Sequence, residues 1–151
     1  MLRTLSILMM VLVLLLSGCG EGTPEYAEEE LYMEQMTGHI QGVNEALQQT
    51  ISLMTDYEDS EEWRGSVREA AHEAITLIDG ARDVQSPDAL DEVHRSFMEG
   101  LSDYNEATLL IIQAVDVDDP TLAAEAMEML EYGTMMVDLA FDLWDMWVEE
   151  H

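Results

Sequence analysis

Three prolines punctuate the 151 residues of this chain, and each directly follows a residue able to cap a helix: Thr23-Pro24, Ser86-Pro87 and Asp119-Pro120. Proline suits the first position of a helix, where its missing N–H has no intrahelical partner, while the residue before it accepts from the next free N–H groups. Deeper in a helix it would remove a hydrogen bond and clash with the preceding turn. The stretches between the prolines are therefore free to run as long helices. A polar break, Asp56-Tyr57-Glu58-Asp59 followed by Ser60, divides the first of them. Four helices are expected, at about 24–57, 60–84, 87–116 and 120–150.

The apolar spacing agrees. In the first helix Tyr26, Met33, Met36, Ile40, Val43, Leu47, Thr50, Met54 and Tyr57 follow steps near three and four, with Glu29 the one charge on the seam. The second seam is Trp63, Val67, Ala70, Ala74, Leu77, Ala81 and Val84. The third is Leu90, His94, Phe97, Leu101, Tyr104, Thr108, Ile111 and Val115, and the fourth is Leu122, Ala126, Met129, Gly133, Met136, Ala140, Leu143 and Trp147. Flanking rows, such as Leu130, Val137 and Trp144, widen each seam into the face of a globular bundle. Short links force antiparallel neighbours, so the expected fold is all-α, an up-down-up-down four-helix bundle over residues 24–151. Counting outward from the links puts Ile40 level with Leu77, Leu77 with His94, and His94 with Phe141. Trp144 and Trp147 are expected to close the end of the bundle nearest Tyr26.

Residues 1–18 read differently. Arg3 precedes an apolar run from Leu5 to Leu16, too short for the roughly 20 residues that a membrane-spanning helix needs but suited to the core of a secretory signal. Leu16-Ser17-Gly18-Cys19 follows at once, and this resembles the lipobox of prokaryotic membrane lipoproteins. The resemblance covers the leader alone. It implies cleavage before Cys19, a diacylglyceryl group on the Cys19 sulfur, and a tether of residues 19–23 at the extracytoplasmic face of the cell membrane, or at the outer membrane of a two-membrane cell. Two acyl chains hold a protein stably where one would not. Cys19 is the only cysteine, so neither disulfides nor thiolate metal sites are expected in the folded part.

Without the leader the chain carries four arginines against 33 Asp and Glu, a net charge of −29. Nucleic acid and anionic lipid headgroups are repelled by such a surface. The acid is spread along every helix and not gathered in one place, which fits an adaptation to concentrated salt, where screening acts over about 3 Å at 1 M.

Motifs for chemistry are few. No nucleophile elbow, phosphate-binding glycine loop or paired-cysteine motif occurs. His72-Glu73-Ala74-Ile75-Thr76 starts like a zinc-protease motif but has Thr76 where the second histidine must stand. Glu69-x-x-His72 and Asp91-x-x-His94 resemble the ligand pairs of di-iron bundles, yet His72 belongs to the outward side of its helix and the two histidines differ in level. The remaining candidate is His39, His94 and Asp142, with Met33 and Met36 stacked on the same side as His39; thioether and imidazole together suit copper(I). Against this, Met33 and Met36 hold regular seam positions, where methionine is a common core filler. His94 then reads as a buried neutral histidine, and His151 as a free chain end. The acidic row Glu131, Asp138, Asp142, Asp145 and Glu149 points successive carboxylates apart, so it reads as a solvated face.

The segment from Pro87 to Asp119, with His94, Phe97, Leu101, Tyr104 and Ala107 before an acidic turn, is also similar to small helical domains of extracytoplasmic lipoproteins, a likeness that carries no activity. The function expected is non-enzymatic: a membrane-anchored binding or structural module of the cell envelope, acting on an envelope partner, with no cofactor beyond the lipid. The alternative is an envelope protein binding copper, zinc or iron through His94 with His39, Met33 or Met36. An enzyme working by paired acids would need two convergent carboxylates.

Overall fold

The computed structural model describes residues 26–151; the leader, Cys19, the tether and Pro24 lie outside the described residues. The described chain is four helices: α1 (Ala27–Thr55), α2 (Glu61–Arg82), α3 (Asp91–Val117) and α4 (Pro120–Glu150), with a 3-10 turn at Asp88–Leu90. They form the all-α antiparallel bundle that the punctuation predicts.

Several boundaries have a local cause. Ser60 accepts from the Trp63 amide at 3.1 Å, and Asp119 Oδ1 accepts from the Thr121 amide at 2.8 Å, so both cap the helices they precede. Pro120 opens α4 as expected. Pro87 behaves differently. Its backbone is extended, and its carbonyl accepts from Leu90 to build the 3-10 turn, so α3 begins at Asp91 and not at 87. At the other end of α3, Asp118 is left-handed with φ 54°, and the Asp119 amide reaches back to the Ala114 carbonyl at 3.0 Å. This is a Schellman ending with aspartate in the place that glycine usually fills.

The inner faces differ in texture. Most seam positions are buried, including Met36, Val43, Phe97, Leu101 and Ile111. Tyr32 is buried as well, which the spacing does not anticipate, and in α2 the core position is Ile78, with Leu77 only partly buried against Gly42. Seam residues Tyr26, Trp63 and Leu143 are half-buried, and Tyr57 is exposed. In α4 the inner face repeats small residues every seven positions, Ala126, Gly133 and Ala140, all buried. There α4 comes hard against α3: a Cβ on Gly133 would lie 3.0 Å from the Gly100 carbonyl oxygen and 2.6 Å from the Tyr104 ring.

The level count fails between α2 and α3. Residues 84–87 are irregular, and Gln85, Ser86 and Pro87 share a shallow hollow with Leu31 and Tyr32 of α1. The link thus travels along α1 before α3 starts. Arg82, the last residue of α2, donates to the Leu101 carbonyl at 3.4 Å, and Arg68 pairs with Asp116 at 2.6 Å. Leu77 is not level with His94; the first turns of α3 extend past the end of α2. Between α3 and α4 the count is nearer, with Phe141 meeting the edge of Phe97 at 5.2 Å, one turn from His94.

Candidate functional site

The residues singled out for metal binding are dispersed by this offset. His94 sits against α1, where the Tyr32 hydroxyl lies 2.8 Å from its Nδ1. Burial pushes the Tyr32 phenol well above its usual range, an effect that the nearby Ser86 side chain partly offsets. Burial also lowers the His94 pKa, with Asp91 acting weakly the other way. Two neutral groups share this contact, and the imidazole tautomer sets which of them donates. His39, seven residues or roughly 10 Å further along α1, lies instead against Gly80 of α2, about 3.7 Å from where a Cβ there would stand. Met33 and Met36 are buried among core side chains, and Asp142 is exposed on the outside of α4. Among the described residues no three His, Cys, Asp or Glu side chains are grouped so as to hold one ion. Glu69 and His72 are both exposed, as the reading of an outward face requires.

Aromatics gather at the end nearest Tyr26, half-buried beside a hollow of about 440 Å³ that Leu90, Val93, Leu143 and Trp147 line together with Asp88, Asp91, Glu92 and Glu150. Trp144 and Trp147 stack at 5.2 Å, and Tyr26 meets the Trp147 edge at 5.4 Å. His151 is not free: it stacks on Trp147 at 4.6 Å, and its ring Nδ1 lies 2.9 Å from the Trp147 carbonyl. That places an imidazole N–H on one of the otherwise unpaired carbonyls at a helix C-terminus.

The opposite end has a hollow of its own, with two aromatic residues in its lining where the first has one. The link between α1 and α2 and the turn between α3 and α4 stand side by side there, separated by a cleft of about 450 Å³. Met54, Tyr57, Trp63, Ala114, Val115, Pro120 and Ala123 give it apolar walls, and Asp118 and Asp119 also line it. Trp63 is fixed in place because its indole N–H donates to the Leu53 carbonyl at 2.7 Å. Tyr57 packs edge-on against it with ring centres 4.8 Å apart. Concave, mostly apolar sites with a few polar groups are the usual form of small-ligand sites, at about 300–1,000 Å³. By spacing alone Tyr57 and Trp63 are seam ends and Asp118-Asp119 is a turn. The available signal is that an aromatic stands on each side of the polar break, at the level to which the acidic turn must return.

A second surface lies on α4. Tyr132, Met135, Leu139 and Met146 are exposed along its outer side, next to the acidic row that includes Glu131, Asp138 and Asp142. No basic side chain among the described residues pairs with that row; the ion pairs of Arg64, Arg68 and Arg82 all go to other elements. No described helix is long and apolar enough to cross a membrane. Comparison with known proteins finds no matching family model, no matching curated protein and no matching solved structure.

Proposed function

We propose that the chain is an extracytoplasmic lipoprotein, anchored through a diacylglyceryl group on Cys19, that serves the cell envelope as a non-catalytic binding module with the distal cleft as its binding site. The observation that carries this reading is the placement of the cleft. The described chain enters the bundle at Tyr26, and α1 then runs 29 residues, roughly 40 Å at 1.5 Å per residue. Tyr57 and Trp63 follow at the far end. A tether at Cys19 leaves that end facing away from the membrane. The aromatic cluster of Tyr26, Trp147 and His151 would then be on the face turned towards the lipid.

The anchor is tested by expressing the wild type and Cys19→Ser in a prokaryotic host fed with labelled palmitate. Label on the wild type alone, with its transfer to the detergent phase on phase separation, is the expected result. An unlabelled wild type, or a Cys19→Ser variant that still carries label, sinks the lipoprotein reading.

A further inference from the structure

We propose that the distal cleft takes a small organic cation of the alkylammonium class, with Tyr57 and Trp63 supplying aromatic surface and Asp118 and Asp119 the opposite charge. This rests on the cleft being a binding site and is independent of the lipid anchor.

The lining argues for charge and apolar body together. Two aromatic rings, a thioether and two carboxylates border one cavity, and no Lys, Arg or His lines it. Aromatic faces attract cations, tryptophan most strongly, and the gain increases when the cation is shielded from water. The indole N–H of Trp63 is already committed to Leu53, so this ring has only its π surface to offer a ligand. Asp119 uses one oxygen to cap Thr121, while the Asp118 carboxylate has no hydrogen-bond or ion-pair partner among the described residues. Neither Arg64 nor Arg68 lines the cleft; Arg64 pairs with Asp59 and Glu61, and Arg68 with Glu61 and Asp116. A bare inorganic cation fits less well, since hard ions want a shell of oxygens and gain little from thioether and ring carbons. An alkylammonium ion carries both the charge and the apolar surface.

Choline, its neutral isostere 3,3-dimethyl-1-butanol and N-acetyl-lysine amide separate the alternatives. The full chain in non-ionic detergent, labelled with ¹⁵N at the tryptophan indoles, has three indole signals, of which the one missing in Trp63→Phe is Trp63. Choline should move that signal saturably against an equal concentration of sodium chloride, and bind about tenfold or more tighter than the isostere. Tyr57 is exposed, so Tyr57→Ala should fold and weaken choline about fivefold. Asp118→Gly, whose glycine suits the positive φ, should weaken it about threefold. Equal affinity for choline and the isostere overturns the cation assignment but leaves the cleft as a binding site. Tighter binding of the lysine amide, a primary alkylammonium, also supports the class and makes a lysine side chain of a partner the source of the charge. If none of the three shifts the Trp63 signal, both the ligand class and the cleft reading fail.

Discussion

The buried Tyr32 phenol and the His94 ring, which is half-buried and not the fully buried histidine that the spacing suggests, meet at 2.8 Å between α1 and α3, and partial desolvation disfavours the charged form of each. Because the folded pKa of His94 lies below its ordinary value, the unfolded chain binds more protons between the two. Stability from this pair is complete above the ordinary imidazole value near 6.5 and is lost as the pH falls through the lowered folded value. His94→Gln should cost about 0.5–1.5 kcal/mol at pH 7.5, the range for one hydrogen bond. In urea unfolding the gap between the wild type and His94→Gln should narrow from pH 7.5 to 5.5, because only the wild type has this ring to protonate. A gap that stays constant, or widens, would show that the neutral ring is not what holds the contact. Using the variant as reference removes the common background of carboxylate titration.

Along α3 and α4 the decisive feature is the space left by missing side chains. A Cβ on Gly100 would stand 2.8 Å from the Gly133 carbonyl oxygen and 2.9 Å from the Val137 Cγ2, and the position facing it is as tight. Backbone atoms cannot move aside as a flexible side chain would, so Gly100→Ala and Gly133→Ala should each destabilise by about 1–3 kcal/mol, even after the helix-propensity gain of alanine. Gly38 in α1 has nothing within 4 Å of its Cβ position. Gly38→Ala should therefore stabilise by about 0.5–1 kcal/mol, through propensity and a less flexible unfolded chain. Thermal unfolding of the three variants checks both signs. Stabilisation by Gly133→Ala would mean that α3 and α4 do not meet at this level.

Charge governs the molecule as a whole. Burial raises the Asp103 pKa first, and repulsion from Glu99 and Glu106 on the same helix raises it further. The four arginines of the folded part cannot neutralise 33 acids. Screening length falls from about 10 Å at 0.1 M to about 3 Å at 1 M, so the repulsion should fade with salt. The melting temperature should rise by about 5 °C or more between 0.1 and 1 M NaCl. Asp103→Asn should stabilise by about 0.3–0.5 kcal/mol at 0.1 M and by less at 1 M, where the repulsion from Glu99 and Glu106 is screened and only the burial cost of the charge remains. A melting temperature indifferent to salt would remove the case for a surface adapted to concentrated electrolyte.

The sequence by itself determined the number of helices, their order and most of the inward faces. Those depend on local physics: proline cannot sit inside a helix, Ser60 and Asp119 cap the turns beside them, and apolar steps of three and four select one face. What only the tertiary structure decided is which faces meet at which level. The link at 84–87 runs along α1 in place of a tight turn, and that moves His94 off Leu77 and onto Tyr32. His39, His94 and Asp142 consequently stand in separate surroundings, although loop counting puts them in one layer. The same holds for the distal cleft, whose two walls come from residues 54–63 and 114–123. A pattern with a period of 3.6 residues records which side of a helix is buried, but not how far one helix slides past another. That sliding is set by the packing of Gly100 on Gly133 and by the path of the links, and it gathers Tyr57, Trp63, Asp118 and Asp119 at one end.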